Sequence, residues 1–226
     1  IVEKLESKSE KLSEAVTFSS GLIGRTGKKE IISDKRLGEK WHPGLLSGRE
    51  INQYCINYEG NFTLFDTKKL KSGFKDARYF EPKIFLRQTG DSLVAAYDTE
   101  NLLCLNNLHV GNLANSKYDL RYVLAMLNSK LMNYYYHLIS LELGRTMAQI
   151  DIETIELLPI KPVSLEVQNQ FIGLVDKIMA IYNQSEAPLS SNNSERITEL
   201  ERRIDFKIYE LYGLTSEEIR LIEESA

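Results

Sequence analysis

Apolar positions along this chain change their period near residue 116, and the two periods predict two kinds of element. From Ala15 onward, short runs rich in β-branched and aromatic residues alternate with turn signals. EIIS, YCINYE, FTLF, KIFLRQT, SLVAAYD and LLCLNNLHVG read as strands. Gly60-Asn61, between YCINYE and FTLF, and Gly90-Asp91, between KIFLRQT and SLVAAYD, are hairpin signals. These runs predict a twisted, mainly antiparallel sheet or half-barrel of about six to eight strands. After Ser116 the period becomes helical. Leu120, Val123, Leu124, Leu127, Leu131, Tyr135, Leu138 and Ile139 recur at three- and four-residue steps, one face of a single long helix. Ser116 and Asp119 form a capping pair at its start, and Gly144 stops it.

Pro159 and Pro162 forbid helix through the next segment, and a second helix opens at Ser164. Its apolar face holds Val167, Phe171, Leu174, Val175, Ile178, Met179 and Tyr182. SEAPLSSNNSE reads as a flexible polar loop. A third helix carries Ile197, Leu200, Ile204, Ile208 and Leu211 and ends at Gly213, and a Thr215–Glu218 capping box opens a last short helix. The fold class is therefore α+β: the sheet or half-barrel, a long core helix, and a C-terminal helical region. The organisation this implies is a linker over 1–14, a recognition domain over 15–163 and a helical spacer or docking region over 164–226.

At 226 residues the chain can bury a sizeable core, and 42% hydrophobic with 27% charged residues is ordinary for a globular protein. Its apolar runs are too short for a membrane span, so a cytoplasmic protein is expected. The opening IVEKLESKSEKLSEAV lacks the order of a signal peptide, begins without Met and reads like the middle of a longer chain. Cys55 and Cys104 are expected as free thiols. The net charge of -4 hides an asymmetry. Residues 1–150 hold 21 Lys+Arg against 17 Asp+Glu, a balance of +4, and residues 151–226 hold 7 against 15, a balance of -8. Within 21–90 the balance is +6, from 14 basic and 8 acidic residues. Such a split suits one half that meets a polyanion.

The chemistry of an enzyme is missing. His42, His109 and His137 lie far apart without companions at metal-ligand spacing. GLIGRTGKK imitates a phosphate-cradling loop but follows no clear strand and opens no helix. Glu81-Pro82-Lys83 after Asp66 or Asp76 imitates a nuclease triad, with Pro82 awkwardly inside it. No catalytic residue, no metal site and no cofactor are expected within this sequence.

Several stretches in combination carry a resemblance: KIFLRQTGDSLVAAYDTENLLCLNNLHV, RYVLAMLNSKLMNYYYHLIS, GRTMAQI, LLPIKPVS and IDFKIYELYGLTSEEI. From about Leu12 onward the chain resembles the TaqI-like C-terminal specificity domain, the target recognition domain of adenine-specific DNA methyltransferases and type IIG restriction-modification enzymes. It is similar, more distantly, to the recognition domains of type I specificity subunits. The resemblance implies a non-catalytic reader of double-stranded DNA. It also implies an N-terminal methyltransferase domain in the parent chain, with an Asn-Pro-Pro-Tyr-type motif and an S-adenosylmethionine pocket, neither of which occurs in this sequence.

Reading duplex DNA needs cations for phosphates and amide or guanidinium groups for base edges. For phosphates the expected residues are Arg25, Lys28, Lys29, Lys35, Arg36, Lys40, Lys68, Lys69, Lys71, Lys75 and Arg78. For bases they are Arg49, Arg87, Gln88, Asn106, Asn107, His109, Arg145, Thr146 and Gln149. Any one of these is equally at home as a solvated surface residue. Tyr134, Tyr135 and Tyr136 lie on a core helix, where packing outweighs stacking on an extruded base. Trp41 with His42 either stacks against DNA or anchors its own loop. The competing expectation is an assembly module whose C-terminal helices dock a partner subunit or a second copy.

Overall fold

The structure, a computed structural model, describes residues 1–75, 77–140, 144–145, 148–185 and 188–225. The first strands are β1 (Glu10–Lys11), β2 (Val16–Ser20), β3 (Ile23–Gly24), β4 (Ile32–Ser33), β5 (Trp41–Leu45), β6 (Ile51–Asn52) and β7 (Cys55–Ile56). They continue as β8 (Phe62–Leu64), β9 (Leu70–Ser72), β10 (Lys83–Arg87), β11 (Ala95–Asp98), β12 (Leu103–Cys104), β13 (Leu108–Leu113) and β14 (Pro159–Ile160). The helices are α1 (Val2–Glu6), α2 (Leu120–Leu127), α3 (Lys130–Ile139), α4 (Ile152–Glu156), α5 (Leu165–Gln184), α6 (Ser191–Tyr212) and α7 (Ser216–Ser225). The class is α+β, as the two periods predict, but the strands are short and divided among several sheets.

The central sheet has the order β11-β10-β13-β2 and is antiparallel throughout. Successive side chains point to opposite faces, so each strand feeds two cores. Ile84 and Leu86 of β10 join the core shared with the helices, whereas Phe85, between them, joins a second core with Leu108 and Val110. That second core sits under a smaller sheet of order β12-β5-β8-β4, in which β12 and β5 run parallel. The Gly90-Asp91 hairpin forms between β10 and β11. The one expected at Gly60-Asn61 does not. β7 folds back on β6, and β8 instead lies between β4 and β5. The cause is Tyr54, which takes a left-handed turn (φ 63°) and buries its ring in the helical core. The strand is thereby reversed before Gly60 is reached.

The helix expected over residues 120–139 is two helices. α2 ends at Leu127, and α3 restarts after Ser129, whose hydroxyl accepts from the Met132 amide. Between them the Asn128 side chain copies a strand neighbour. Its Oδ1 accepts from the Ala95 N–H at 2.9 Å, and its Nδ2 donates to the Ala95 carbonyl at 3.0 Å. Asp205 of α6 accepts from the Lys130 amide at 3.0 Å, satisfying an orphan donor of the new helix. At the start of α2, Asp119 caps through the Arg121 amide.

Residues 1–14, read as a linker, are packed: Leu5 and Leu12 are buried, and Glu10–Lys11 pair with Pro159–Ile160. The helices after Ser164 likewise share the core of the sheet. Phe171, Leu174, Val175 and Ile178 of α5 join α2 and β10 residues in one cluster, with Ile197, Leu200, Ile204 and Ile208 of α6. α6 begins at Ser191, inside the stretch read as loop, because Ser190 caps it through the Asn193 amide. No helix among the described residues is long and apolar enough to cross a membrane.

Candidate nucleic-acid interface

Apart from Arg87 on β10 and His109 on β13, the expected base readers among the described residues lie between the strands, and the segments that carry them meet at one end of the central sheet. β10 runs out at Arg87 opposite Leu108, and beyond it Gln88 keeps pairing through its backbone. The Gln88 N–H donates to the Asn107 carbonyl at 3.1 Å, and its carbonyl accepts from the Ile150 N–H at 2.7 Å. Thr89 bridges to Gln149, and the Gly90 N–H donates to the Ala148 carbonyl. The segment after the long helices therefore returns as an extra strand beside 88–90. Gln88, Asn106, Asn107 and Gln149 come together there, and exposed Arg145 leads into the segment. Thr146 lies outside the described residues.

Arg49 joins them through a capping box. The Ser47 hydroxyl accepts from the Arg49 amide at the head of the turn Gly48–Glu50. The Glu50 carboxylate, 1% exposed, accepts from the Leu46 and Ser47 amides at 2.7 and 2.9 Å. Gly48 faces the Asn107 carbonyl and the side chains of Arg87 and Thr89, so the turn lies flat on the reading edge with Arg49 exposed. Sequence reasoning passed over Glu50, although Ser-x-x-Glu is its signal.

Among the expected readers, Arg87, Asn107 and His109 have side chains visibly tied to the protein's own backbone. Arg87 is half-buried: its guanidinium donates to the Ile51 carbonyl and to Asn52 Oδ1, fastening β6 to the sheet. Asn107 donates through Nδ2 to the Leu46 carbonyl at 2.9 Å. His109 is a correction. It is 3% exposed on β13 and its Nε2 meets the Ile150 carbonyl at 2.6 Å, so it supports the returning segment from beneath. Burial lowers its pKa and keeps the imidazole neutral.

The cationic candidates behave differently. Arg25, Lys28, Lys29, Lys35, Arg36, Lys40, Lys68, Lys69, Lys71, Lys75 and Arg78 are all exposed, around β3, β9 and the β4–β8–β5 sheet. Some have acidic neighbours: Lys40 with Asp66 at 2.8 Å, Arg78 with Glu81 at 2.7 Å, and Lys69 with Glu30. Solvent-exposed pairs of this kind are worth about 0–1 kcal/mol and yield readily to a phosphate. Arg25 is fixed to the β9 backbone through the Lys68 and Leu70 carbonyls. Lys28, Lys29, Lys68, Lys71 and Lys75 form no ion pair among the described residues. β5 links the two regions: Trp41 and His42 lie at its cationic end, and Leu45 reaches Leu105 near the readers. Tyr135 and Tyr136 are buried, and the Tyr135 hydroxyl donates to Glu6 at 2.8 Å, so these tyrosines pack and tie.

Over residues 44–160, more than half of its length, the chain matches the model of the TaqI-like C-terminal specificity domain. It belongs to that family. Residues 1–43 and 161–226 lie outside the matched stretch. A likeness to the type IIG restriction endonuclease BpuSI covers 93% of this chain and 32% of that one, with a TM-score of 0.54. At 12% identity this is a likeness of fold. The HsdS subunit from Thermoanaerobacter tengcongensis is similar at 16% identity and a TM-score of 0.42, over 90% of this chain and 44% of that one. The chain thus spans about a third of the first protein and less than half of the second. No curated protein matches it.

Proposed function

We propose that this specificity domain reads a short sequence in double-stranded DNA for a restriction-modification enzyme. The catalytic work would then fall to an adenine-specific methyltransferase part, with its S-adenosylmethionine, on the longer cytoplasmic protein. The observation that carries the reading is that the segments bearing Arg49, Gln88, Asn106, Asn107 and Gln149 meet at one end of the central sheet, beside a lobe whose exposed loops carry the lysines. Lysines around β3 and β9 take phosphates and fix orientation. Arg49 and Arg145 suit guanine, and Gln88, Asn106 and Gln149 suit adenine, in the major groove.

The test is duplex binding by the whole chain, measured by anisotropy across a salt series and by selection from a random-sequence duplex pool. Affinity falls with salt, and replacing both Lys28 and Lys29 by Ala lowers the log-log slope by about 0.9 per lost phosphate contact. Arg49→Ala leaves the slope alone and relaxes one position of the selected sequence, a loss of about 1–3 kcal/mol in discrimination. No measurable duplex affinity at low salt overturns the reading.

A further inference from the structure

Phe80 belongs to neither group of expected contacts, yet it is a large apolar side chain held out from the cationic lobe. It is 51% exposed, whereas its neighbour Tyr79 is 1% exposed. The outward turn is built in. The Tyr79 carbonyl accepts from Lys83 Nζ at 2.6 Å, and Lys83 is itself buried against Asp98. One residue earlier, Arg78 and Asn112 exchange two hydrogen bonds, at 2.9 and 3.0 Å, and the Arg78 guanidinium donates to the Leu113 carbonyl at 2.7 Å. The loop that carries the ring is thereby pinned at three points.

The ring is also supported from behind. His42 packs against it edge-on at 5.1 Å between centroids, and Phe65 at 5.6 Å and 85°. Phe65 rests in turn on Tyr79 at 6.0 Å. Burial, with Arg36 nearby, lowers the His42 pKa, so the platform is neutral at physiological pH. Arg36, close enough to act on His42, and Lys40 and Arg78 lie on the segments that carry the platform, with Asp66 and Glu81 offsetting part of Lys40 and Arg78. An exposed aromatic face beside cationic segments matches a polyanion that also offers flat apolar surfaces.

We propose that Phe80 is an apolar wedge that stacks on a base or deoxyribose of bound duplex DNA, about one strand length from the reading edge. The inference rests on the proposed DNA-reading function and adds a contact that neither phosphate binding nor base-edge readout supplies. Apolar side chains inserted at a base step let a protein wrap bent DNA more closely.

The experiment uses the whole chain and a random-sequence duplex carrying 5-iodouracil in place of thymine. Irradiation crosslinks iodouracil to aromatic side chains stacked on it, and the expected crosslinked peptide contains Phe80. Phe80→Leu, which keeps the apolar packing, removes that crosslink and weakens binding about five- to tenfold with an unchanged salt slope. Phe80→Trp restores both, and unchanged circular dichroism shows that the variants fold. DNA binding with no crosslink at Phe80 and no loss in Phe80→Leu overturns the wedge and leaves the reading function standing, the result expected if the platform instead faces a protein partner. No binding by the unaltered chain overturns both.

Discussion

At the scale of single residues, one pair of carboxyls with raised pKa values lies away from the reading edge. Glu201 and Asp205, one turn apart on α6, face Lys130, Arg202 and Glu223 in a cleft of about 600 Å³ between α3, α6 and α7. Burial, with Asp205 beside it, pushes the Glu201 carboxyl up to about 7, and burial pushes Asp205 up to about 6. A carboxyl with a raised folded pKa holds its proton in the native state over a range where the unfolded chain has lost it. Stability therefore falls as pH rises from about 4.5 to about 7. Glu201→Gln is expected to flatten that decline and to raise stability at pH 8 by about 1–3 kcal/mol, read from urea melts at several pH values.

At the scale of elements, the joint between α2 and α3 governs how the helices sit on the sheet. Asn128→Ala leaves the N–H and C=O of buried Ala95 without partners and is expected to cost about 1–3 kcal/mol in a denaturant melt. Asn128→Asp keeps the acceptor but loses the donor, and should fall between. This joint also marks the limit of what the sequence discloses. The apolar stripe through Leu124, Leu127 and Leu131 runs unbroken across it, so periodicity reports one helix. The break depends on an amide meeting a strand more than thirty residues away. Helix ends with local signals were legible: Ser164 caps α5, Gly213 closes α6 at φ 65°, and Thr215 and Glu218 cap α7 reciprocally. The site divides in the same way. Exposed cations could be named from composition and loop position. His109 and Arg87 could not be told from readers, because their partners, Ile150 and Ile51, are set by pairing across the sheet.

At the scale of the whole molecule, the acidic helices and the basic strands are one body with two faces. α6 buries Ile204, Ile208, Tyr209 and Tyr212 in the core that β10 and α2 also fill, and the Tyr212 hydroxyl donates to the Pro159 carbonyl at 2.9 Å. Removing residues 186–226 is therefore expected to unfold the remainder, with a collapsed thermal transition and aggregation on a sizing column. A truncated chain that stays monomeric and folded would show the helices to be an appendage. Because the basic balance lies within 1–150 and the acidic excess within 151–226, the protein presents a polyanion with one attractive side and one repellent side.

The meeting of α1 with α7 has a consequence of a different kind. The Ile1 nitrogen lies 3.6 Å from Glu218, and Lys4 reaches both Glu218 and the Gly213 carbonyl. The helix α1 is thus fastened where α7 begins, and the segments that carry the proposed readers lie between the two in the chain. Fraying of either helix is therefore felt by the other, at a distance in the chain from the segments that carry the proposed readers.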